Sequence, residues 1–216
     1  MKTLIILTIA LGLFTNMHGS DTSYYAPLKT GIKQSETAYH AENFQQLIYC
    51  CERILSLYKT EWLPYYYEAY GYINLSFIEK KADKKEVYCD KAQSMIDSAF
   101  RLKPNEPELH VLQSLLYTAR MAINPWVNGP VYITKASNEL ETAEKLDPKN
   151  PRIYYLRGKS ALYTPKFFGG GKEAALPLFD KAVHLYLGFK PESQVHPNWG
   201  KEDADRLYEE CKTGDK

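Results

Sequence analysis

The sequence predicts an all-α fold, a solenoid of about four antiparallel helix pairs ending in a capping helix, and three observations predict it. Ala92, Ile96, Ala99 and Pro104 recur at identical spacing as Ala136, Leu140, Ala143 and Pro148, and Ala175, Phe179 and Ala182 repeat all but the proline. Pro64, Pro107 and Pro151 precede these faces, 43 and then 44 residues apart. Seven residues after each proline stands a small residue, Gly71, Ser114 and Gly158. A small residue leaves a gap in a helix surface, and a small-large-small face at spacings of four and three fits a neighbour packed against it.

Taken in order, the chain begins with Lys2 and the apolar run Thr3 to Phe14, read as a secretory signal peptide over 1–19 with cleavage near Gly19 or Ser20. The run is shorter than the roughly 20 residues needed to span a bilayer. No cysteine precedes Cys50 to take a lipid. The expected location is therefore periplasmic or extracellular, with no membrane insertion after cleavage. The mature region 20–216 is expected to hold repeats over about 28–60, 63–104, 106–148 and 150–191. In the first, Leu28 to Tyr39 is a weakly apolar helix, and Phe44, Leu47, Ile48, Cys51, Leu55 and Tyr58 mark an amphipathic second one. Gly71 to Ala92, Ser114 to Ala136 and Gly158 to Ala175 span 21, 22 and 17 residues. That excess predicts an enlarged loop inside each later pair. In the last of these loops Gly169, Gly170 and Gly171 are expected to bend the chain with Phe167 and Phe168 tucked beneath. Asn150 is placed to cap a helix that Pro151 opens. After the break HPNWG, Ala204, Leu207, Tyr208 and Cys211 give one apolar face to a polar capping helix over 200–212.

Composition narrows the function classes. The chain is 44% hydrophobic and 25% charged, an ordinary globular balance, and its formal charge of +1 becomes 0 once Lys2 is removed. A neutral chain without a basic run offers nucleic acid no electrostatic purchase. Tyrosine is abundant, with 18 residues, and serves both packing and wet binding surfaces. Cys51 lies on the apolar face of its helix and reads as a small buried side chain; Cys50, Cys89 and Cys211 complete the set, for which no disulfide is expected, and a bridge between adjacent Cys50 and Cys51 would be strained.

No catalytic, metal or cofactor site is expected. Gly169 to Lys172 suggests a phosphate loop, yet Glu173 follows the lysine and Lys166 stands where the first glycine belongs. His40, His110, His184 and His196 are scattered, and no cysteine has the short spacing of a zinc site.

The paired spacings resemble the tetratricopeptide repeat, whose standard period is about 34 residues, and the likeness covers nearly all the mature chain. With the export signal and the stretches LPYYYEAY, NPRIYYLRG and TPKFFGGG, the chain looks like small exported repeat proteins of Bacteroidota. The resemblance implies a right-handed α-solenoid whose first helices line a concave groove. Its groove positions fall on Tyr65, Glu68 and Tyr72, on Glu108, Val111 and Leu115, and on Arg152, Tyr155 and Lys159, with Tyr163 farther along the last helix. Tyr65, Glu68, Tyr72, Arg152, Tyr155, Lys159 and Tyr163 are the candidate binding residues. They do not match the lysine and asparagine clamp that holds chaperone tails. The expected function is an exported adaptor or scaffold holding a protein or peptide segment in that groove. A small-molecule or glycan binder of the cell envelope is the alternative, and an enzyme ranks last.

Overall fold

Caps and prolines set the helix starts. In the computed structural model, which describes residues 22–37 and 39–213, a single 3-10 turn over Thr22–Tyr24 leads into α1 (Tyr25–Thr37) and α2 (Ala41–Leu55). There follow α3 (Trp62–Ile78) and α4 (Ala82–Leu102), α5 (Pro107–Ile123) and α6 (Pro125–Leu146), and α7 (Pro151–Tyr163) and α8 (Lys172–Gly188). The last helix is α9 (Lys201–Lys212). The side chain of Asn150 accepts from the Arg152 amide at 3.0 Å, and that of Glu106 accepts from the Glu108 amide at 3.3 Å. Each satisfies an otherwise orphaned first-turn donor, with proline at the adjoining position where no amide is missed. The signal-peptide reading concerns residues outside those described.

In the three later pairs each helix packs most closely on its partner, while α2 packs more closely on α3 than on α1; α3 to α5 and α5 to α7 meet side by side, so first helices form one layer and second helices the other. The repeated faces form the seam. Ala92, Ile96, Ala99, Ala143, Ala175, Phe179 and Ala182 are inaccessible to solvent and Leu140 nearly so. A Cβ on Gly158 would lie 2.7 Å from the Phe179 ring, so the small residue of α7 and the large residue of α8 fit each other directly. Ser114 answers the same need by hydrogen bonding, its hydroxyl donating to the Ala136 carbonyl at 2.9 Å. Gly71 differs: its missing side chain makes room for Ile48 of α2, the preceding pair.

The expected enlarged loops take another form. Only residues 79–81 separate α3 from α4, and Asn124 alone separates α5 from α6. The extra residues lengthen α4 to 21 residues and α6 to 22. Their first halves are mostly solvent-exposed, so they carry no apolar period to betray a helix. In α4 the segment carries Ala82, Lys84, Lys85, Glu86 and Lys91, which favour helix without packing; in α6 it starts on Pro125 with Asn124 as cap. Pro130 sits inside α6 and Pro177 inside α8 without ending either helix. The fourth pair alone keeps a long connection, residues 164–171, and there Phe167 and Phe168 stand out in solvent rather than beneath the glycines. Packing explains that reversal: the Gly171 amide donates to the Ala161 carbonyl at 2.9 Å and the Gly170 amide to the Pro165 carbonyl at 3.2 Å. The loop is thus pinned flat against α7, with no space for two rings beneath it. Gly169 and Gly171 adopt φ of 80° and 98°, where a side chain would be strained.

The candidate binding surfaces

The inner layer of α1, α3, α5 and α7 is covered by the chain's own residues 189–203, a strap running from the end of α8 to the start of α9. Trp199 anchors it. Its ring stacks on Tyr70 at 5.4 Å and meets the Tyr155 ring edge-on at 6.3 Å, while its indole nitrogen donates to the Tyr66 hydroxyl at 2.8 Å. The Tyr186 hydroxyl donates to the Trp199 carbonyl at 2.8 Å. At the next residue a Cβ would lie 2.7 Å from that hydroxyl, and Gly200 also has φ of 95°, so glycine is required on both counts. Val195 is inaccessible, and the exposed Lys29 ammonium donates to the Gln194 side-chain carbonyl at 2.9 Å, tying the strap to α1.

Under the strap lies a buried ion pair. Arg152 is 0% exposed and Glu108 nearly so. The Arg152 Nε donates to the Glu108 carboxylate oxygens at 3.1 and 2.9 Å, Nη2 also reaches Oε1, and Asn150 adds a 2.6 Å bond. Burial disfavours the guanidinium charge, but the Glu108 carboxylate outweighs it and holds the arginine more basic than usual. Its plane faces the rings of Phe189 at 4.6 Å and Trp199 at 5.9 Å.

The residues expected to line an open groove therefore meet different surroundings. Arg152 and Tyr155 are buried under the strap, the Tyr155 hydroxyl donating to Asp203 at 2.6 Å. Lys159 is half-buried, 3.2 Å from the Tyr155 hydroxyl and 3.6 Å from Asp203. Tyr72 is buried against Tyr88, ring centres 6.3 Å apart, with Lys91 above it at 5.1 Å. Glu68 is buried, and burial, helped by Glu52 and opposed by Lys91, pushes its carboxyl up to about 7. Tyr65 is half-buried, its hydroxyl donating to the Lys59 carbonyl at 3.4 Å. Among the seven, Tyr163 alone is widely exposed, at 70%.

Tyr163 belongs to a second surface. At the turn of the fourth pair it is joined by Phe167 and Phe168, 92% and 74% exposed, whose rings meet edge to face at 5.2 Å. At the turn of the third pair Trp126 is 95% exposed, with Val127, Val131 and Ile133 also in solvent. Turns within successive pairs of a solenoid fall along one edge, so both groups share it. Behind the α6 group, Tyr117 and Tyr132 pack at 5.7 Å with the Lys135 ammonium over both rings, 5.7 and 5.4 Å from their centres. Large exposed apolar groups of this kind mark binding surfaces. Periodicity missed Trp126, Phe167 and Phe168. Their signal was local: big apolar rings in NPW and PKFFGGG, stretches with the composition of turns. No group of three or more histidine, cysteine, aspartate or glutamate side chains that could hold a metal ion occurs among the described residues. Nor is any described helix long and apolar enough to cross a membrane.

No family model and no curated protein matches the chain. Solved structures do. The HusA haemophore of Porphyromonas gingivalis is 30% identical, with a TM-score of 0.79 over 90% of this chain and 96% of that one. A thermophilic TPR protein of Thermus thermophilus is 16% identical, with a TM-score of 0.55 over 88% of this chain and all of that one, and shows the fold alone. Repeat spacing, paired helices and likeness along nearly the whole length converge: the chain belongs to the family of the HusA haemophore, built as a tetratricopeptide-like α-solenoid.

Proposed function

We propose that this chain is an exported haem-binding protein that takes its ligand on the aromatic edge formed by the turns of the third and fourth helix pairs. The observation that carries the reading is 30% identity to a haemophore over nearly the full length of both chains. The edge supplies suitable chemistry. A porphyrin is a broad apolar plane, and Trp126, Phe167, Phe168 and Tyr163 offer exposed rings to lie against it. Lys135 brings a positive charge beside Tyr117 and Tyr132 for the ligand's carboxylates. Export rests on Lys2 and the apolar run to Phe14.

This favours the small-molecule reading over the peptide adaptor. A peptide entering the inner face would have to displace Trp199, with its hydrogen bond to Tyr66 of α3 and its ring contact with Tyr155 of α7, whereas the edge is open. The role is one of holding rather than catalysis. Titrating haemin into the purified protein and following the Soret band tests the proposal. A saturable shift at one haem per chain with submicromolar affinity is expected. A featureless, unsaturable increase, as haemin gives with any apolar surface, would overturn it.

A further inference from the structure

Among the described residues, three buried side-chain nitrogens have no hydrogen-bond partner: Nη1 of Arg152 and both ring nitrogens of His196. All three lie where the leading part of the strap, residues 189–197, meets the inner layer. Arg152 faces the Phe189 ring at 4.6 Å, and the His196 ring meets that of Trp62 in α3 edge-on at 6.0 Å. Buried polar atoms are ordinarily paired, so an interface that strands three of them is poorly secured, and such segments open before the rest of a fold. The inference drawn from it does not depend on haem binding.

The two ends of the strap are held unequally. At one end Trp199 has its indole bond to Tyr66 and its stack on Tyr70. Residues 189–197 belong to no helix, and they are held by the burial of Val195 and His196 and by the exposed side-chain bond from Lys29 to Gln194. Where they leave α8, a Cβ on Gly188 would meet nothing within 4 Å, so the chain has an uncrowded pivot there.

Charge decides what opens it. With both His196 nitrogens shut off from water and without an acceptor, a protonated ring in the closed strap would be a buried charge left unpaired, which proteins avoid by shedding the proton. Burial accordingly holds the ring below its ordinary 6.5, against the pull of Glu108 in α5 and Glu192 in the strap and with the help of Arg152 in α7 and Lys103 after α4. Neither carboxylate serves as a partner: Glu108 is engaged by Arg152, and the nearer oxygen of Glu192 stands 3.9 Å from Nε2. Glu106, Asp147 and Lys190 line the adjoining cleft. We propose that residues 189–197 form an acid-opened flap: His196 leaves the inner layer as it gains a proton, the chain turns at Gly188, and Trp199 stays as the fixed end. The closed flap is favoured above about pH 6.5 and loses ground as pH falls below it. Glu106 acts in the opposite sense, because burial raises its carboxyl above the ordinary 4.5, so replacing His196 separates the two.

The test follows the Val195 methyl and His196 imidazole signals of the full chain by magnetic resonance saturation transfer, which detects a minor open state. Between about pH 7.5 and about pH 5.5 the open population should grow by about fivefold or more, while the Trp199 indole signal keeps its place. His196→Leu, which fills the site without titrating, should abolish that rise. Three results would each overturn the proposal: Val195 and His196 signals indifferent to pH; a Trp199 signal that moves with them, meaning that the whole strap or the whole fold gives way; or the same rise in His196→Leu, which would assign it to another group.

Discussion

Gly158 shows how much one missing side chain can decide. Its Cβ position lies 2.7 Å from two atoms of the Phe179 ring, and that ring is itself inaccessible to solvent. Gly158→Ala should therefore overpack the α7–α8 seam and cost about 1 to 3 kcal/mol, more than the helix propensity of alanine returns. Chemical denaturation would measure it; a neutral or stabilising result would mean that Phe179 moves freely. Glu68 gives a residue-scale pH effect. Its carboxyl is raised to about 7, first by burial and then by Glu52, so the native state holds a proton that the unfolded chain, near the ordinary value of 4.5, has released. Below both values the group is protonated in both states and costs nothing. Stability should fall as pH rises from about 4.5 to about 7, with each unit of separation worth about 1.4 kcal/mol at most. Glu68→Gln should flatten that part of the profile, and an unchanged slope in urea denaturation across those pH values would discount Glu68 as its source.

At the scale of elements, the seam was legible because burial imposes a period. Ala92, Ile96 and Ala99 recur as Ala136, Leu140 and Ala143 since each trio faces a first helix, although Ala136 is only half-buried, beside the Ser114 hydroxyl. The outer halves of α4 and α6 were not legible, because a helix that buries no face leaves no pattern. The residues just before Ser114 and Gly71 make contacts that no period records. Gln113 exchanges paired amide bonds of 2.8 and 2.9 Å with Gln93, and Tyr70 carries Trp199. The strap was least legible of all. HPNWG reads as a break in the chain, and nothing local says that its tryptophan crosses 133 residues to reach Tyr66. Trp199→Ala should cost about 3 to 5 kcal/mol, whereas Trp199→Phe, which keeps the stack but strands the Tyr66 hydroxyl, should cost less. Near-ultraviolet circular dichroism and denaturation would report both. If Trp199→Ala melted like the wild type, the strap would contribute little to the fold.

Viewed whole, the molecule separates two surfaces that the sequence merged into one. The inner face, where Arg152 and Tyr155 were expected to meet a partner, is closed by residues 189–203 and behaves as core, while Tyr72 is buried against Tyr88 of α4. Tyrosine's double nature explains the ambiguity: an apolar ring with a polar tip suits a groove or a core equally, and only the tertiary partner, here Asp203 or Trp199, decides. The outer edge, by contrast, keeps large apolar groups in water at a cost that packing does not recover. The proposed haem site on this edge is tested by comparing haemin affinity in the wild type, in the triple variant Trp126→Ala, Phe167→Ala, Phe168→Ala, and in Trp199→Phe. Because the three replaced side chains are exposed, the triple variant should melt within a few degrees of the wild type while losing about 100-fold in affinity, or about 2.7 kcal/mol, and Trp199→Phe should bind nearly as the wild type does. Wild-type affinity in the triple variant, with binding lost in Trp199→Phe, would rule out a haem site on the edge and place the ligand at the inner face.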